Sequence, residues 1–267
     1  MEGAYFSGIQ AMKRFCPSHA VRSFHPKVSL VRALSKLGYC SRSAAVRLIE
    51  EGRVWVNGSP AQDGKKWVDP GADRIEVDGH AVASRGKIYL MLNKPRGLVT
   101  TARDEKGRAT VYDCLRGKDW PWVGPVGRLD KASEGLLLFT NDTPWAAKVM
   151  NPEAHLDKIY HVQVDGLADE DLLEKITRGV TAEEGDFLRA RRVKRLRQGK
   201  RNCWLEVVLD EGKNRHIRRL LSSLGVNILR LVRVGIGPLG LGDLPKGEVR
   251  HLTEEERVSL IKAGERG

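Results

Sequence analysis

The sequence predicts an α+β protein in two parts: a small basic module of two helices and a β-meander, then a larger domain whose helices flank a mixed, mostly antiparallel sheet. Three observations carry this reading. The chain has 267 residues, enough for two domains. Two short amphipathic helices and two hairpin turns crowd into residues 27–85. Beyond residue 85 strands outnumber helices and do not alternate regularly with them, which disfavours a doubly wound sheet. Residues 1–26 mix apolar and basic side chains without a continuous apolar core and read as a disordered tail. An acid-poor organellar presequence is the other reading of that segment, and Met12 is a second candidate start.

In the first module Val28, Val31, Leu34 and Leu37 recur every three positions, and Gly38 stands where a C-cap glycine belongs. Ser41 caps a second helix with Ala44, Ala45, Leu48 and Ile49 on its apolar face and Gly52 as its stop. A strand at 54–56 runs into Asn57-Gly58 and another at 75–77 into Asp78-Gly79, both strong two-residue hairpin signals. Arg32 and Lys36, four apart, share one face of the first helix, while Arg42, Arg47 and Arg53 spread over the second and its exit. These cations form either a phosphate-binding surface or an ordinary solvated face.

The larger domain, residues 87–267, offers strands at 88–92, 136–140, 159–164, 204–209 and 228–234. Asp169 caps a helix over 172–178 that Gly179 closes, and Ile217, Leu220, Leu221 and Leu224 line a helix over 214–224. The string Gly235-Ile236-Gly237-Pro238-Leu239-Gly240 satisfies GxGxxG, but Pro238 and the Gly and Pro residues after it forbid the helix that fingerprint needs, leaving a glycine-rich strand exit. No GxxxxGK[ST] is present.

Lys and Arg number 46 against 34 Asp and Glu, a net charge of +12 that suggests a polyanionic partner. Apolar runs are too short to span a bilayer, so a membrane protein is excluded. The four cysteines lie far apart with no CxxC pair, which points to a reducing cytoplasm, and the seven scattered histidines form no HExxH, so neither metal nor cofactor is expected. The positive charge clusters at 189–201, where Arg191, Arg192, Lys194, Arg195, Arg197 and Lys200 occur without an acidic residue. That run is either an RNA backbone track or a solvated basic hairpin.

Two groups of motifs give these features a context. Leu34-Ser35-Lys36-Leu37-Gly38-Tyr39-Cys40-Ser41-Arg42-Ser43, followed by Glu51-Gly52-Arg53-Val54-Trp55-Val56-Asn57-Gly58, resembles the S4 RNA-binding domain over residues 27–85. In that family the two helices sit on structured RNA and read shape and phosphate rather than base sequence. Gly127-Arg128-Leu129-Asp130, Lys158-Ile159-Tyr160, Glu211-Gly212-Lys213-Asn214-Arg215-His216-Ile217-Arg218-Arg219 and Asn93-Lys94-Pro95-Arg96-Gly97 together resemble the RNA pseudouridine synthases, in the branch that joins an S4 domain to a catalytic domain and modifies ribosomal RNA. His216 departs from the glutamine commoner in that family.

The resemblance implies an isomerase that turns uridine into pseudouridine in ribosomal RNA, 16S or 23S and within pre-ribosomal particles, as a cytoplasmic monomer. It implies that Asp130 is the essential carboxylate, either nucleophile at C1′ or base at C2′, that Arg218 pairs with it, and that Tyr160 stacks on the uracil. Arg128 fills the stack left by the flipped base, and Lys94, Arg96, Arg215 and Arg219 join the cations of the first module in holding RNA. Helix geometry is consistent with this: Arg215 and Arg219 fall opposite the apolar face, and Arg218 lies on its shoulder, within reach of a partner inside. An ion pair of that kind favours a charged carboxylate.

Three other classes compete. A non-catalytic, ribosome-associated S4 protein would lack Asp130, Tyr160 or Arg218, and all three are present. A nucleoside hydrolase or glycosidase would pair two carboxylates, and no second acid is read beside Asp130 in its motif. A DNA-binding protein would carry a recognition helix, which neither domain shows.

Overall fold

The computed structural model describes residues 27–265, so the tail read at 1–26 lies outside the described residues. The first module folds around a core of its own, with Leu30, Leu34, Ala45, Ile49, Val54, Val56, Ile75 and Val77 all buried. Helix α1 (Leu30–Lys36) and α2 (Arg42–Glu50) pack on each other, and the Ser41 hydroxyl accepts the Ala44 N–H at 3.1 Å as an N-cap. Val28 and Ser29, read as helical, instead form a short strand against Trp67–Val68, so the apolar triplet spacing begins one element too early. Both hairpins form at the expected turns, with positive φ at Asn57, Gly58, Asp78 and Gly79.

The second domain is built on a nine-stranded sheet. Its path runs Arg192–Gln198, Asn202–Leu209, Lys158–Asp165, Ile228–Ile236, Glu134–Thr140, Tyr89–Lys94 and Val249–His251, with Leu239–Gly240 and Gly124–Val126 paired to its side. Every pairing in it is antiparallel except that of Ile228–Ile236 with Glu134–Thr140. This parallel seam joins two half-sheets through just Val232 with Glu134 and Arg233 with Gly135. Gly135 sits at φ +99°, and a Cβ there would lie 2.2 Å from the Arg233 carbonyl oxygen, so only glycine allows the half-sheets to meet.

Four helices flank the sheet: α3 (Thr143–Met150), α4 (Glu170–Arg178), α5 (His216–Ser223) and α6 (Glu254–Gly264). One core lies between α4, α5 and the strands bearing Val162, Val164, Leu205 and Val207. A second lies under α3 and α6, around Met91, Leu136, Leu138 and Trp145. The glycine-rich string at 235–240 is a strand exit and tight turn, with Gly237 at φ +52° and no helix following. The two modules touch where Gly38 meets the loop before Gly124–Val126: its carbonyl accepts the Trp122 N–H at 2.7 Å, and an added Cβ would lie 2.7 Å from the Pro121 Cβ.

Candidate active site

A cleft of about 790 Å³ opens beside the seam, lined by the 126–130 loop, Tyr160, the 209–213 turn and the start of α5. Asp130 stands on its wall. The loop carrying it is fixed before the side chain is considered. Leu129 is buried, Thr100 Oγ1 donates to the Leu129 carbonyl at 2.7 Å, and the Ser133 N–H donates to the Asp130 carbonyl at 3.0 Å.

Beneath the loop lies Lys94, wholly buried at the end of its strand. Its ammonium donates to the carbonyls of Ser133 at 2.8 Å, Asp130 at 3.1 Å and Pro95 at 3.1 Å. Burial pulls its pKa down to about 8, with Asp130 and Glu134 acting in the opposite direction. Lys94 was expected on RNA, and the structure corrects that: a side chain with no accessible surface cannot reach a phosphate, and its three donors are spent holding the Asp130 loop.

The Asp130 side chain itself is 37% exposed, open to a ligand in the cleft, and its Oδ2 lies 3.7 Å from Arg218 Nε. This is an ion pair rather than a hydrogen bond. Arg218 Nη2 reaches past the carboxylate to the Ala132 carbonyl at 3.1 Å and Ser133 Oγ at 3.3 Å, which fixes the plane of the guanidinium. Burial lowers the Arg218 pKa, Asp130 opposes the shift, and the neighbouring cations Arg215 and Arg96 add to it. A helix shoulder therefore delivers Arg218 inward, as the apolar spacing of α5 required. Tyr160 faces the same cleft from the strand Lys158–Asp165, packed against two cores.

Arg128 and Arg215 are exposed on the cleft rim, and Arg215 takes a left-handed φ of +49° as it opens α5. Arg96 is exposed on a loop tied to the Asp130 turn by a Gly97 N–H to Lys131 carbonyl bond of 2.7 Å. Arg219 does not line the cleft and is paired with Asp186 at 2.7 Å and Glu184 at 3.0 Å. Arg53 likewise forks onto Asp78 at 2.6 Å and Glu51 at 3.0 Å. Arg32, Lys36, Arg42 and Arg47 lie on the surface of α1 and α2 with no ion pair among the described residues.

The absence of a second acid is also corrected. Glu134, four residues after Asp130, is a buried carboxylate, but Arg230 at 2.8 Å and Lys246 at 2.6 Å hold it on the sheet. Burial would raise its pKa, and the bonds from these two cations keep it below the usual range. It is absent from the cleft lining, where the acids that accompany Asp130 are Asp210 and Glu211 on the turn after the strand Asn202–Leu209. The cleft does hold residues the sequence reading passed over: Lys158, His155, Lys213 and the nearly buried Arg233, whose Nε donates to the Leu136 carbonyl at 2.8 Å. Lys158 precedes Tyr160 by two on a strand, so the period of two already placed it on the same face.

A fold of two half-sheets meeting at one parallel seam, with an S4-like module docked beside it and an Asp130–Arg218 pair in the cleft, defines a class of RNA-modifying enzyme. Residues 88–223 match the RNA pseudouridylate synthase family and residues 28–73 the S4 domain, and the chain belongs to the RNA pseudouridine synthases. It is 36% identical over 241 residues to ribosomal large subunit pseudouridine synthase B of Bacillus subtilis, covering 89% of this chain and 97% of that one. An uncharacterized RNA pseudouridine synthase of Aquifex aeolicus is 38% identical over 239 residues, covering 89% and 95%. A solved pseudouridylate synthase structure superposes with a TM-score of 0.60 at 26% identity, covering 87% of this chain and 99% of that chain. No helix among the described residues is long and apolar enough to cross a membrane, and no described His, Cys, Asp and Glu residues group as a metal site.

Proposed function

We propose that the chain isomerises one uridine of ribosomal RNA to pseudouridine, with Asp130 acting on the ribose and no second carboxylate taking part. The N1–C1′ bond breaks, the uracil turns within the cleft, C5 joins C1′, and the proton from C5 leaves as N1 gains one, so atoms and electrons balance without a co-reactant. Attack at C1′ and proton abstraction at C2′ share one requirement: an ionised carboxylate held at the sugar while water is displaced. The single observation that carries the reading is the Asp130–Arg218 pair at 3.7 Å in a cleft that Tyr160 walls. The locked 126–130 loop sets the carboxylate, Arg218 supports its charge, and the Tyr160 ring offers a face for the freed base. Arg128, exposed at the rim, takes the space the base leaves in the RNA stack.

Ribosomal RNA as the substrate rests on the name of the Bacillus relative and on the S4 match. The same relative supports a place in the cytoplasm, where ribosomes are built. Asp130, Tyr160 and Arg218 all come from one chain, which supports a working monomer. The domain limits that follow are 27–85 for RNA docking and 87–267 for chemistry. Asp130→Asn tests the whole reading. Release of tritium from [5-³H]uridine ribosomal RNA falls to background while RNA affinity stays within a few-fold, since many cations hold the RNA and one carboxylate does the chemistry. Turnover retained in that variant removes the proposal.

A further inference from the structure

The densest run of positive charge, at 189–201, contributes nothing to the lining of the catalytic cleft. The sheet explains where it goes. Tyr160 and Val162 point to the cleft and the core beneath α5, so His161 and Gln163 point to the opposite face. Cross-strand register puts Glu206 and Val232 beside His161, and Trp204 and Arg230 beside Gln163. The edge strand Arg192–Gln198 adds Lys194 next to Glu206 and Arg197 next to Trp204. This face therefore gathers an aromatic ring and three cations of the basic run, Arg192, Lys194 and Arg197, on the side of the sheet away from Asp130, while Arg191 and Arg195 pair elsewhere with Asp157 and Glu170.

Trp204 is half-buried, with the Arg197 guanidinium 5.1 Å and the Arg230 guanidinium 5.8 Å from its ring centroid. A shallow pocket of about 280 Å³ surrounds it, lined by His161, Leu196, Arg197, Trp204, Arg230 and Val232. All six stand on strands, none lines the cleft, and Leu196 is 41% exposed. The charges are unbalanced. Glu206 is shared by His161, Arg192 and Lys194, and Glu134 by Arg230 and Lys246, while Arg197 has no carboxylate partner among the described residues. Five Arg and Lys side chains thus face two carboxylates.

We propose that this face is a second RNA-contact surface, which stacks one unpaired base on the Arg197–Trp204 pile and runs the flanking phosphates over Arg192, Lys194 and Arg197. The inference rests on the reading that the substrate is RNA, and extends it to a surface on the reverse of the catalytic sheet. An aromatic ring flanked by guanidinium groups suits a nucleobase, because every base has a π-face and the cations meet its phosphate. The pocket admits a single base and not a duplex. An acidic peptide would match the charge and leave the ring and Leu196 without a role.

The test uses the full chain and a ribosomal RNA fragment that the wild type modifies, carrying 5-bromouridine at unpaired positions. Irradiation is expected to attach RNA to Trp204. Trp204→Leu is expected to weaken binding of the fragment about tenfold, expressed in KM rather than kcat. Arg197→Gln, at an exposed position where folding is not at stake, is expected to weaken it several-fold and to lessen its salt dependence. Crosslinks confined to the cleft and the S4 helices, with unchanged affinity in both variants, overturn the proposal. So does displacement of the RNA from this face by an acidic peptide that loses affinity in Arg197→Gln while the RNA does not. Failure of the wild type to isomerise uridine would strike the proposed reaction, and crosslinking at Trp204 would still decide this surface separately.

Discussion

Lys94→Met keeps the length of the side chain and removes all three donors beneath the Asp130 loop. The carbonyls of Pro95, Asp130 and Ser133 then lose their Nζ partner, and Asp130 retains only the Ser133 N–H. An unsatisfied buried carbonyl costs about 1–3 kcal/mol. Against this, the variant removes a buried charge whose cost appears in the fall of the ammonium pKa from 10.5 to about 8, equivalent to about 3 kcal/mol. The two carbonyls left without any donor, those of Pro95 and Ser133, slightly outweigh that relief, leaving a net loss of about 1 kcal/mol in urea unfolding at pH 7. Activity is expected to fall further than stability, with kcat down about a hundredfold under conditions where the variant is folded, because displacement of a reacting group by about 1 Å is enough for such a loss. The pH dependence carries a second signature. Between about pH 8 and 10.5 the unfolded chain holds a proton that the folded protein has shed, so wild-type stability rises with pH relative to Lys94→Met. A Lys94→Met protein with kcat within threefold of wild type, an unchanged urea midpoint and no such pH difference would refute the reasoning.

Other outcomes follow from neighbouring features. His216 is 5% exposed, and burial lowers its pKa against the pull of Glu211 and the Arg189 backbone, so the folded protein resists protonating it. Stability therefore falls as pH drops below about 6.5, by up to about 1.4 kcal/mol per pH unit, and urea unfolding of His216→Gln at pH 7.5 and 5.5 should show that slope reduced; equal slopes would count against it. Glu134→Gln should lose about 2 kcal/mol in denaturant unfolding, less than for a fully buried pair because Arg230 and Lys246 reach water, and should keep turnover within a few-fold in the tritium assay. Abolished turnover in a folded Glu134→Gln protein would mean that two carboxylates share the chemistry. Replacing Arg32, Lys36, Arg42 and Arg47 by Gln should flatten the plot of log affinity against log salt by about three units, and an unchanged slope would show that the S4 helices do not dock the RNA.

Local signals in the sequence located the pieces that depend on local rules. Asn57-Gly58 and Asp78-Gly79 turn as two-residue hairpins, Asp169 caps α4 through the Leu172 N–H, and the apolar spacing of α5 aims Arg218 at Asp130. Those features depend on a few adjacent residues. What escaped was set by distant partners. Lys94 reads as a solvent-facing cation until two other segments bring their carbonyls to it. Glu134 carries no local sign of its burial, because Arg230 and Lys246 reach it from about a hundred residues away. Arg219 looks free on a helical wheel because Glu184 and Asp186 belong to a different loop. The helices α3 and α6 also went unread: α3 is short, with its cap Asp142 also bonded to Tyr89, and α6 buries only Leu260 completely.

The close seating of Gly38 against Pro121 and Trp122 gives the molecule a caliper. One jaw is the pair of basic helices and the other is Asp130, and the span between them is set by a contact too tight for any side chain at position 38. On the proposed function, an RNA docked on the helices would present to the cleft the uridine that lies at that distance along its fold. Choice of target would then be a matter of length and angle measured across the whole protein, and not of which bases stand next to the uridine.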